Sequence, residues 1–594
     1  MRDDRPLTSD DIEERLVRFL LTEHRTSRRS TLLLHELPVE ERVARGMCLT
    51  DLVPLDTHGS TLRFRFPPQP CKLRDGDWMV LGRGRPVGPE IGAGVQVVVE
   101  RVDPLSRTLT LEALDRGEHE LVDGVWTLDY VSSDTTTPRL AAAVRDAFRS
   151  RPAVGALLLG QTEGGEAPRG TLPGGLDPSQ ARAAREALSG RLTLIHGPPG
   201  TGKTKVVASV VDILAARGRA VLVTAFTHRA IDNVLHALIA ANPEAGVLKL
   251  GRRSPDLNPA IPCAPPNRLG FSRRVSVVGA TVYALARLPR ERTFDAVVID
   301  EAGQLPLAHA AVALARSREA CILAGDHRQL PPVLSATHTD AAASSSVFAR
   351  LVSLYPGRTF LLDTSYRLPP GLCSFPSGAF YEGMLTSHHA TDPGLGPLPP
   401  ALHHPELQPL WDVAGPLRAV WVDHRGYGGF SPPEAEAVAR LVTALVRDRG
   451  ILPEEIAVVA PHRAQVREIT DRLWRRLGPD TAASIVVDTV ERMQGQERDV
   501  IVLSLTVSDP WFMADEIDFI LSPNRLNVSI TRARRLLVVV GSREFFRIYP
   551  SSPEHLEAAW LFRKLEEVLI PVGVDLTAEA HGWVGLPPPK EPGG

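Results

Sequence analysis

The fold class that this sequence predicts is α/β: two tandem parallel sheets, preceded by a helical stalk and a small β-barrel. Three observations carry it. From about residue 190, short apolar runs such as "RLTLIHG", "AVLVTAF", "VSVVGAT", "FDAVVID" and "ACILAGD" end in polar turns and alternate with helical segments. Near-continuous apolar strands of that kind belong to parallel sheets covered on both faces. The same texture returns after about residue 360, in "LRAVWVD", "EIAVVAP", "SIVVDTV", "DVIVLSL" and "RLLVVVG". Ahead of both, Cys48 to Leu114 falls into short alternating runs, "LRFRF", "WMVLGR", "GVQVVVERV" and "RTLTLEAL", the pattern of a small antiparallel barrel.

In chain order, residues 11–25, "DIEERLVRFLLTEHR", carry apolar side chains at helical spacing and open a stalk expected over 1–47. The barrel follows over 48–125, then a second stalk helix near 138–150 and a linker, together 126–165. The first sheet domain is expected over 166–360 and the second over 361–578. Residues 386–409, rich in Pro and His, read as a surface loop, and the Pro/Gly-rich 579–594 as disordered. A chain of 594 residues exceeds what one hydrophobic core supports, which agrees with this division.

Composition narrows the class without naming a partner. The chain is 43% hydrophobic and 23% charged with a formal net charge of −3, so no global charge advertises nucleic acid or an anionic membrane. No apolar run approaches the roughly 18–20 residues of a membrane span, and the acidic, charged N-terminus lacks a signal peptide. The expected compartment is the cytoplasm. Five scattered Cys, with no CxxC, argue against a disulfide framework, a zinc ribbon or an iron–sulfur cluster. Only six lysines occur, at 72, 203, 205, 249, 564 and 590, so a Lys at a chemically special position is informative.

One such Lys lies in "HGPPGTGKT", residues 196–204, between the strand "RLTLI" and the helix "KVVASVVDIL". The spacing G-x-x-x-x-G-K-[ST] in that context is a phosphate-binding loop. Gly197, Gly200 and Gly202, with Pro198, Pro199 and Thr201 between them, let backbone N–H groups wrap phosphates at a helix N-terminus. Lys203 is placed to neutralise the β/γ-phosphates and Thr204 to ligate Mg²⁺. The strand "FDAVVID" ends in Asp300 and Glu301, assigned to the metal and to activation of the attacking water. These residues predict an NTPase that uses ATP and Mg²⁺. A second polar connector, "VERMQGQERD" (490–499), joins two apolar runs of the second sheet. In it Gly495 is expected to allow close backbone approach on the γ-phosphate side, with Glu497 reaching the ribose.

The order of further motifs, "GDHRQLPP" (325–332), "TSYRLPP" (364–370), "VERMQGQERD" and "RLNVSITRAR" (525–534), resembles superfamily 1 helicases of the 5′-to-3′ branch. That branch includes the nonsense-mediated-decay, immunoglobulin-mu-binding and replication nuclease–helicase group. The matches run from Gln180 to about Gly541, and the N-terminal helix–barrel–helix is similar to the group's accessory barrel and stalk. The resemblance implies two RecA-like domains with ATP between them. It gives Gln180 to adenine, Gln329 to sensing of the γ-phosphate, and Arg367 and Arg532 to arginine fingers. Tyr366 is a candidate to stack on adenine. It further implies nucleic-acid contacts at Thr227, His228, Thr281, His462, Arg463 and Thr489, sequence-independent and salt-sensitive. Departures from the family pattern are His228 for a common Asn, His462 for a common Tyr, and a short Pro-rich loop where relatives often insert a helical subdomain.

The resulting expectation is an ATP-driven helicase or translocase, 5′-to-3′, on single-stranded or tailed DNA or RNA, working as a monomeric motor without nuclease or zinc modules. Two other readings stay open: a nucleic-acid clamp that hydrolyses ATP without processive unwinding, and a nucleotide-gated adaptor docking a protein partner through the barrel. Phe64, Phe66 and Trp78 are equally explained as barrel core or as a binding face. The pairs His388–His389 and His403–His404 lack an acidic or Cys partner at ligand spacing and read as exposed loop.

Overall fold

The computed structural model describes residues 7–58, 61–71, 73, 77–84, 94–103, 106–113, 124–130, 136–161, 174–251, 253–254, 257–266, 275–547, 550, 552–574 and 576. The expected disordered end, 579–594, lies outside them, as does part of the Pro-rich loop before Val275.

The chain opens with a 28-residue helix, Ser9–Glu36. Thr8 starts it through a capping box: Asp11 N–H donates to Thr8 Oγ1 at 3.3 Å, and Thr8 N–H donates to the Asp11 carboxylate at 2.8 Å. Its buried stripe, Ile12, Leu16, Val17, Phe19 and Leu20, shares one apolar cluster with Leu140, Val144 and Phe148 of the helix Thr136–Ser150. The same cluster includes the helix Leu307–Leu314 of the first sheet domain. The stalk is therefore continuous with that domain's core. Glu23 fastens it further, accepting from Ser335 N–H (2.7 Å), Ala336 N–H (2.9 Å) and His338 Nε2 (2.7 Å).

Six strands close the barrel: β1 (Cys48–His58), β2 (Thr61–Arg65), β3 (Trp78–Arg83), β4 (Val95–Asp103), β5 (Thr108–Ala113) and β6 (Trp126–Tyr130). Their order is β1-β2-β5-β4-β3-β6, and β6 returns to pair with β1. Alternation sends Leu62, Phe64, Leu109 and Leu111 inward, all at 1% exposure or less. Phe64 and Phe66 are thus barrel core, which decides the open question for both; the Trp78 side chain lies outside the described atoms. The barrel is tied to the stalk by a buried pair, Arg42 Nη1 to Asp129 at 3.1 Å.

The first sheet contains β7 (Leu192–His196), β8 (Val221–Thr224), β9 (Val247–Leu250), β10 (Cys263–Ala264), β11 (Val277–Ala280), β12 (Phe294–Ile299), β13 (Ser317–Gly325) and β14 (Thr359–Leu361). All pairings are parallel, in the order β10-β9-β11-β8-β12-β13-β7-β14. A short parallel pair, β15 (Thr364–Ser365) and β16 (Thr386–Ser387), leads to the second sheet. That sheet is parallel too, built from β17 (Leu417–Trp421), β18 (Ile456–Val459), β19 (Val486–Asp488), β20 (Arg498–Ser504), β21 (Ala533–Gly541) and β22 (Ile570–Val572), ordered β19-β18-β20-β21-β17-β22. Its strand interiors, such as Val500–Leu503 and Leu536–Val540, are buried on both faces, as the apolar runs require.

Strand order sorts the loops of the first sheet. The neighbours β12, β13, β7 and β14 release their chain ends together, while β8 and β11 release theirs on the adjoining stretch of the same edge. The first group carries Asp300, Gln329 and Lys203; the second carries Thr227 and Thr281.

The 386–409 region is pinned rather than free. His403 and His404 N–H donate to Asp448 at 2.7 and 3.1 Å, and His404 Nδ1 lies 2.9 Å from the same carboxylate. The sequence offered no acidic neighbour because Asp448 arrives from the far end of the helix Pro432–Arg447.

Candidate functional site

The phosphate loop joins β7 to the helix Lys203–Ala216. Gly200 and Gly202 sit at φ +73° and +75°, a region that glycine enters without steric cost. A second constraint acts on each. A Cβ at Gly200 would lie 2.3 Å from the Arg367 Cβ, and one at Gly202 2.7 Å from Gln180 Nε2. The segment Ser365–Arg367 is laid directly on the loop: Tyr366 N–H donates to Gly200 O at 2.8 Å, and Ser365 Oγ to Pro199 O at 2.9 Å.

Asp300 and Glu301 follow β12 beside this loop. Lys203 Nζ stands 3.3 Å from Glu301 Oε1, and Gln304 Nε2 donates to Glu301 Oε2 at 3.1 Å. Burial alone would lower the Lys203 ammonium, but Glu301, Asp300 and Asp326 outweigh it and hold the proton on. Glu301 occupies φ +49°, a costly conformation for a residue with a Cβ. Asp300 is 2% exposed, and its Oδ1 meets no hydrogen-bond partner among the described residues. Burial first, then the Glu301 charge, push its carboxyl up to about 7. A buried carboxylate oxygen without a partner is a hard-oxygen donor of the kind Mg²⁺ takes.

Gln180 is 1% exposed beneath the loop, with both ends of its amide engaged. Oε1 accepts from Asp177 N–H at 3.2 Å, and Nε2 donates to Thr201 O at 3.0 Å. Tyr366 remains 39% exposed, its hydroxyl on Asp177 at 2.9 Å and its ring 4.6 Å from that of His388.

Two guanidinium groups complete this region, Arg532 from the second sheet and Arg367 from the segment after β15. Arg532, immediately before β21, is 3% exposed and donates from Nη2 to Gln329 Oε1 at 2.8 Å. Burial, then repulsion from Arg367, lower it to about 10, so it stays charged at neutral pH. Arg367 donates to Glu497 Oε2 at 2.5 Å and to Thr531 O at 3.3 Å.

Asp326, at the end of β13, is the hub of this region. Its Oδ1 accepts from His196 Nε2 (3.0 Å) and Arg328 N–H (2.9 Å); its Oδ2 accepts from Gln329 Nε2 (2.8 Å) and Tyr381 Oη (2.8 Å). His196, Asp326 and His327 bring ligand atoms within 4.8 Å of one another. With four donors already on one carboxylate, the cluster works as a hydrogen-bond hub. Burial opposes ionisation of Asp326, yet the bond and charge of His196, with Gln329 and Lys203, keep it well below the usual carboxylate range.

The decapeptide is longer in space than in sequence. Thr489 follows β19 at the sheet's carboxyl end, level with Val459 and Leu503, whereas Glu497 precedes β20 at its amino end. The two ends are at least roughly 20 Å apart along the strand direction at strand rise. Gly495 is at φ +74°, and a Cβ there would meet no described atom within 4 Å. The positive φ by itself favours glycine there.

Thr227 and Thr281 cap helices, accepting from Ala230 and Ala284 N–H at 3.3 Å each. Thr227, His228 and Arg463 are exposed, whereas Thr281 is buried. His462 turns inward: its ring stacks on Phe519 at 5.2 Å and meets Phe512 edge-on. Phe519 in turn carries the Arg525 guanidinium 3.6 Å from its centroid.

Sequence reasoning missed Tyr381, Asn524 and Asn527, and a buried support under the second sheet. Glu434 there accepts from Ser504 Oγ (2.5 Å), Thr506 N–H (2.7 Å) and His424 Nε2 (2.9 Å), holding Thr506 at φ +68°. Asn527 lies within "RLNVSITRAR", where it was readable; nothing local marks Tyr381 or Glu434.

Two families of AAA domain match, over residues 175–351 and 343–544. The chain is 29% identical over 418 residues to the ATP-dependent helicase NAM7 of Saccharomyces cerevisiae, covering 62% of this chain and 42% of that protein. It is 28% identical over 412 residues to the human DNA replication ATP-dependent helicase/nuclease DNA2, covering 63% and 38%. It thus spans less than half the length of these curated relatives. Among solved structures, the Arterivirus nonstructural protein 10 helicase aligns at 14% identity and a TM-score of 0.39, covering 90% of this chain and 82% of that one. With the phosphate loop, the DE strand end and both arginines in their order, the homologues of this chain are superfamily 1 helicases, NAM7 and DNA2 among them.

Proposed function

We propose that this chain is an ATP-driven motor on single-stranded or tailed nucleic acid, moving 5′-to-3′. The observation that carries the reading is Arg532 of the second sheet on Gln329 of the first, at 2.8 Å, beside the phosphate loop. One nucleotide site is then built from both sheets, so nucleotide state and domain closure are linked.

In this reading ATP enters over Gly197–Thr204 with its base toward Tyr366. Lys203 leaves Glu301 for the phosphate oxygens, which frees that carboxylate to orient the attacking water. Thr204 and Asp300 would hold Mg²⁺, which would supply positive charge against the phosphates. Gln329 touches the γ-phosphate, and Arg367 with Arg532 spread charge from the phosphoryl group in flight, which planar guanidinium does better than ammonium. Thr227, His228, Arg463 and Thr489 contact sugar and phosphate along the other part of the carboxyl edges, so closure of the cleft shifts one grip relative to the other. The absence of a membrane-spanning helix among the described residues is consistent with work in solution, and we assign the motor to the cytoplasm as a monomer.

The test is ATP turnover against matched single-stranded DNA and RNA, with displacement of 5′- and 3′-tailed duplexes. Lys203→Ala and Glu301→Gln should abolish stimulated turnover; full activity in either would end the assignment. Turnover without displacement would make the chain a clamp, and displacement from 3′ tails would reverse the polarity.

A further inference from the structure

The γ-phosphate side of the proposed site is held from the second domain by more than its two arginines. Tyr381 ends the helix Pro370–Phe380 and is packed in the second domain's core at 2% exposure. Its hydroxyl donates to Asp326 Oδ2 at 2.8 Å and accepts from Asn527 Nδ2 at 2.8 Å. Asp326 Oδ2 also takes the Gln329 Nε2 bond, at 2.8 Å. That bond decides which way the Gln329 amide points: with Nε2 turned to Asp326, Oε1 faces Arg532. The same two asparagines hold the backbone of this segment. Asn527 Nδ2 donates to Arg328 O at 2.9 Å, and Asn524 Nδ2 donates to His327 O at 3.1 Å and to Gln329 O.

We infer that Tyr381 is a positioning residue for hydrolysis: through Asp326 it sets the orientation of the Gln329 amide from across the cleft. This rests on the ATPase reading above. The physical reason is shared acceptor geometry. Asp326 Oδ2 has two lone-pair directions, and Tyr381 occupies one, leaving the other to Gln329. Without the hydroxyl, Gln329 Nε2 has a second orientation open, and the amide flips or swings away from Arg532. His196 anchors the opposite oxygen at 3.0 Å, so the carboxylate cannot rotate to compensate. The carboxylate follows β13 of the first sheet, and the hydroxyl is held in the core of the second domain. The amide is therefore correctly aimed only while the two domains hold this distance.

The experiment is steady-state ATP turnover, with saturating single-stranded DNA or RNA, of wild type, Tyr381→Phe, Gln329→Ala and the double variant. Tyr381→Phe should lower kcat on the order of tenfold with KM for ATP within about twofold, the scale of one hydrogen bond to a charged group. The double variant should be no slower than Gln329→Ala alone, because Tyr381 acts through that amide. Should Tyr381→Phe not fold, Asn527→Ser, which removes the donor seating the hydroxyl, carries the same two expectations. Unchanged kcat, a loss confined to KM, or losses that multiply in the double variant would each overturn the inference. Wild type without ATP turnover would instead refute the ATPase reading.

Discussion

Arg367 and Glu497 form an ion pair, Nε to Oε2 at 2.5 Å, between the segment laid on the phosphate loop and the amino end of β20. Glu497 therefore seats a proposed arginine finger, beyond the ribose contact expected from its place in "VERMQGQERD". Its carboxylate also lies 3.6 Å from Arg534, so both guanidinium groups compete for it. Glu497→Gln is expected to lower kcat about fivefold with little change in KM for ATP, because the finger loses its seat; the pair is partly exposed, which limits the effect. A raised KM at unchanged kcat would return Glu497 to the ribose. Steady-state kinetics separate these outcomes.

Arg532 is expected to behave differently, because it is buried and points at Gln329. Arg532→Ala should reduce kcat on the order of 10³-fold, and Arg532→Lys should recover little of it, since an ammonium cannot reproduce the planar fork. Single-turnover hydrolysis with ATP binding measured separately checks this. Recovery by Lys to near wild type would reduce the role to point charge.

The two glycines with positive φ make a contrast that tests packing against backbone freedom. Gly495→Ala meets only the conformational cost, about 1 kcal/mol. Gly200→Ala adds a Cβ 2.3 Å from Arg367 and 2.9 Å from the Ser365 hydroxyl, neither of which is a loose surface chain. We expect a lower Tm and lost ATP turnover for Gly200→Ala, and near-normal turnover for Gly495→Ala. Equal behaviour in thermal melts and turnover would contradict the observed approach of the two segments.

A pH dependence follows from His309, on the helix under the stalk. Burial lowers it to about 4 from an ordinary 6.5, against a weaker opposing pull from Glu23. Tyr283 Oη reaches its Nε2 at 3.3 Å, and the aromatic rings of Phe226 and Tyr283 stand edge-on to it at 5.9 and 5.6 Å. The folded state therefore prefers the neutral ring. Its contribution is complete above pH 6.5 and is lost as pH falls through 4, for a total of about 3 kcal/mol. Melting wild type and His309→Gln from pH 7 to 4 should show a shallower decline in the variant; parallel declines would remove His309 from the acid response.

The phosphate loop, the DE strand end and the α/β architecture were legible because each is local. A strand, a turn and a helix adjacent in sequence suffice to place Gly197, Lys203 and Thr204, and near-continuous apolar runs suffice to say that the strands are parallel and covered. The closed barrel followed from alternation, although alternation left Phe64 and Phe66 undecided until closure turned them inward. Local signals failed wherever function depends on which strands become neighbours. Thr489 and Glu497 are eight positions apart, yet the connector carries them to opposite ends of the second sheet. For Gln180 and His462 the structure adds what local signals do not hold: packing engages the amide of one at both ends and lays the ring of the other on Phe519. Sequence by itself thus determined the chemistry of the site and the kind of sheets that carry it. Only the tertiary structure decided that Asp326, Tyr381, Asn527, Gln329 and Arg532 share one hydrogen-bonded lattice, because its linking bonds, Tyr381 to Asp326 and Arg532 to Gln329, exist only when two separately built domains are brought to hydrogen-bonding distance.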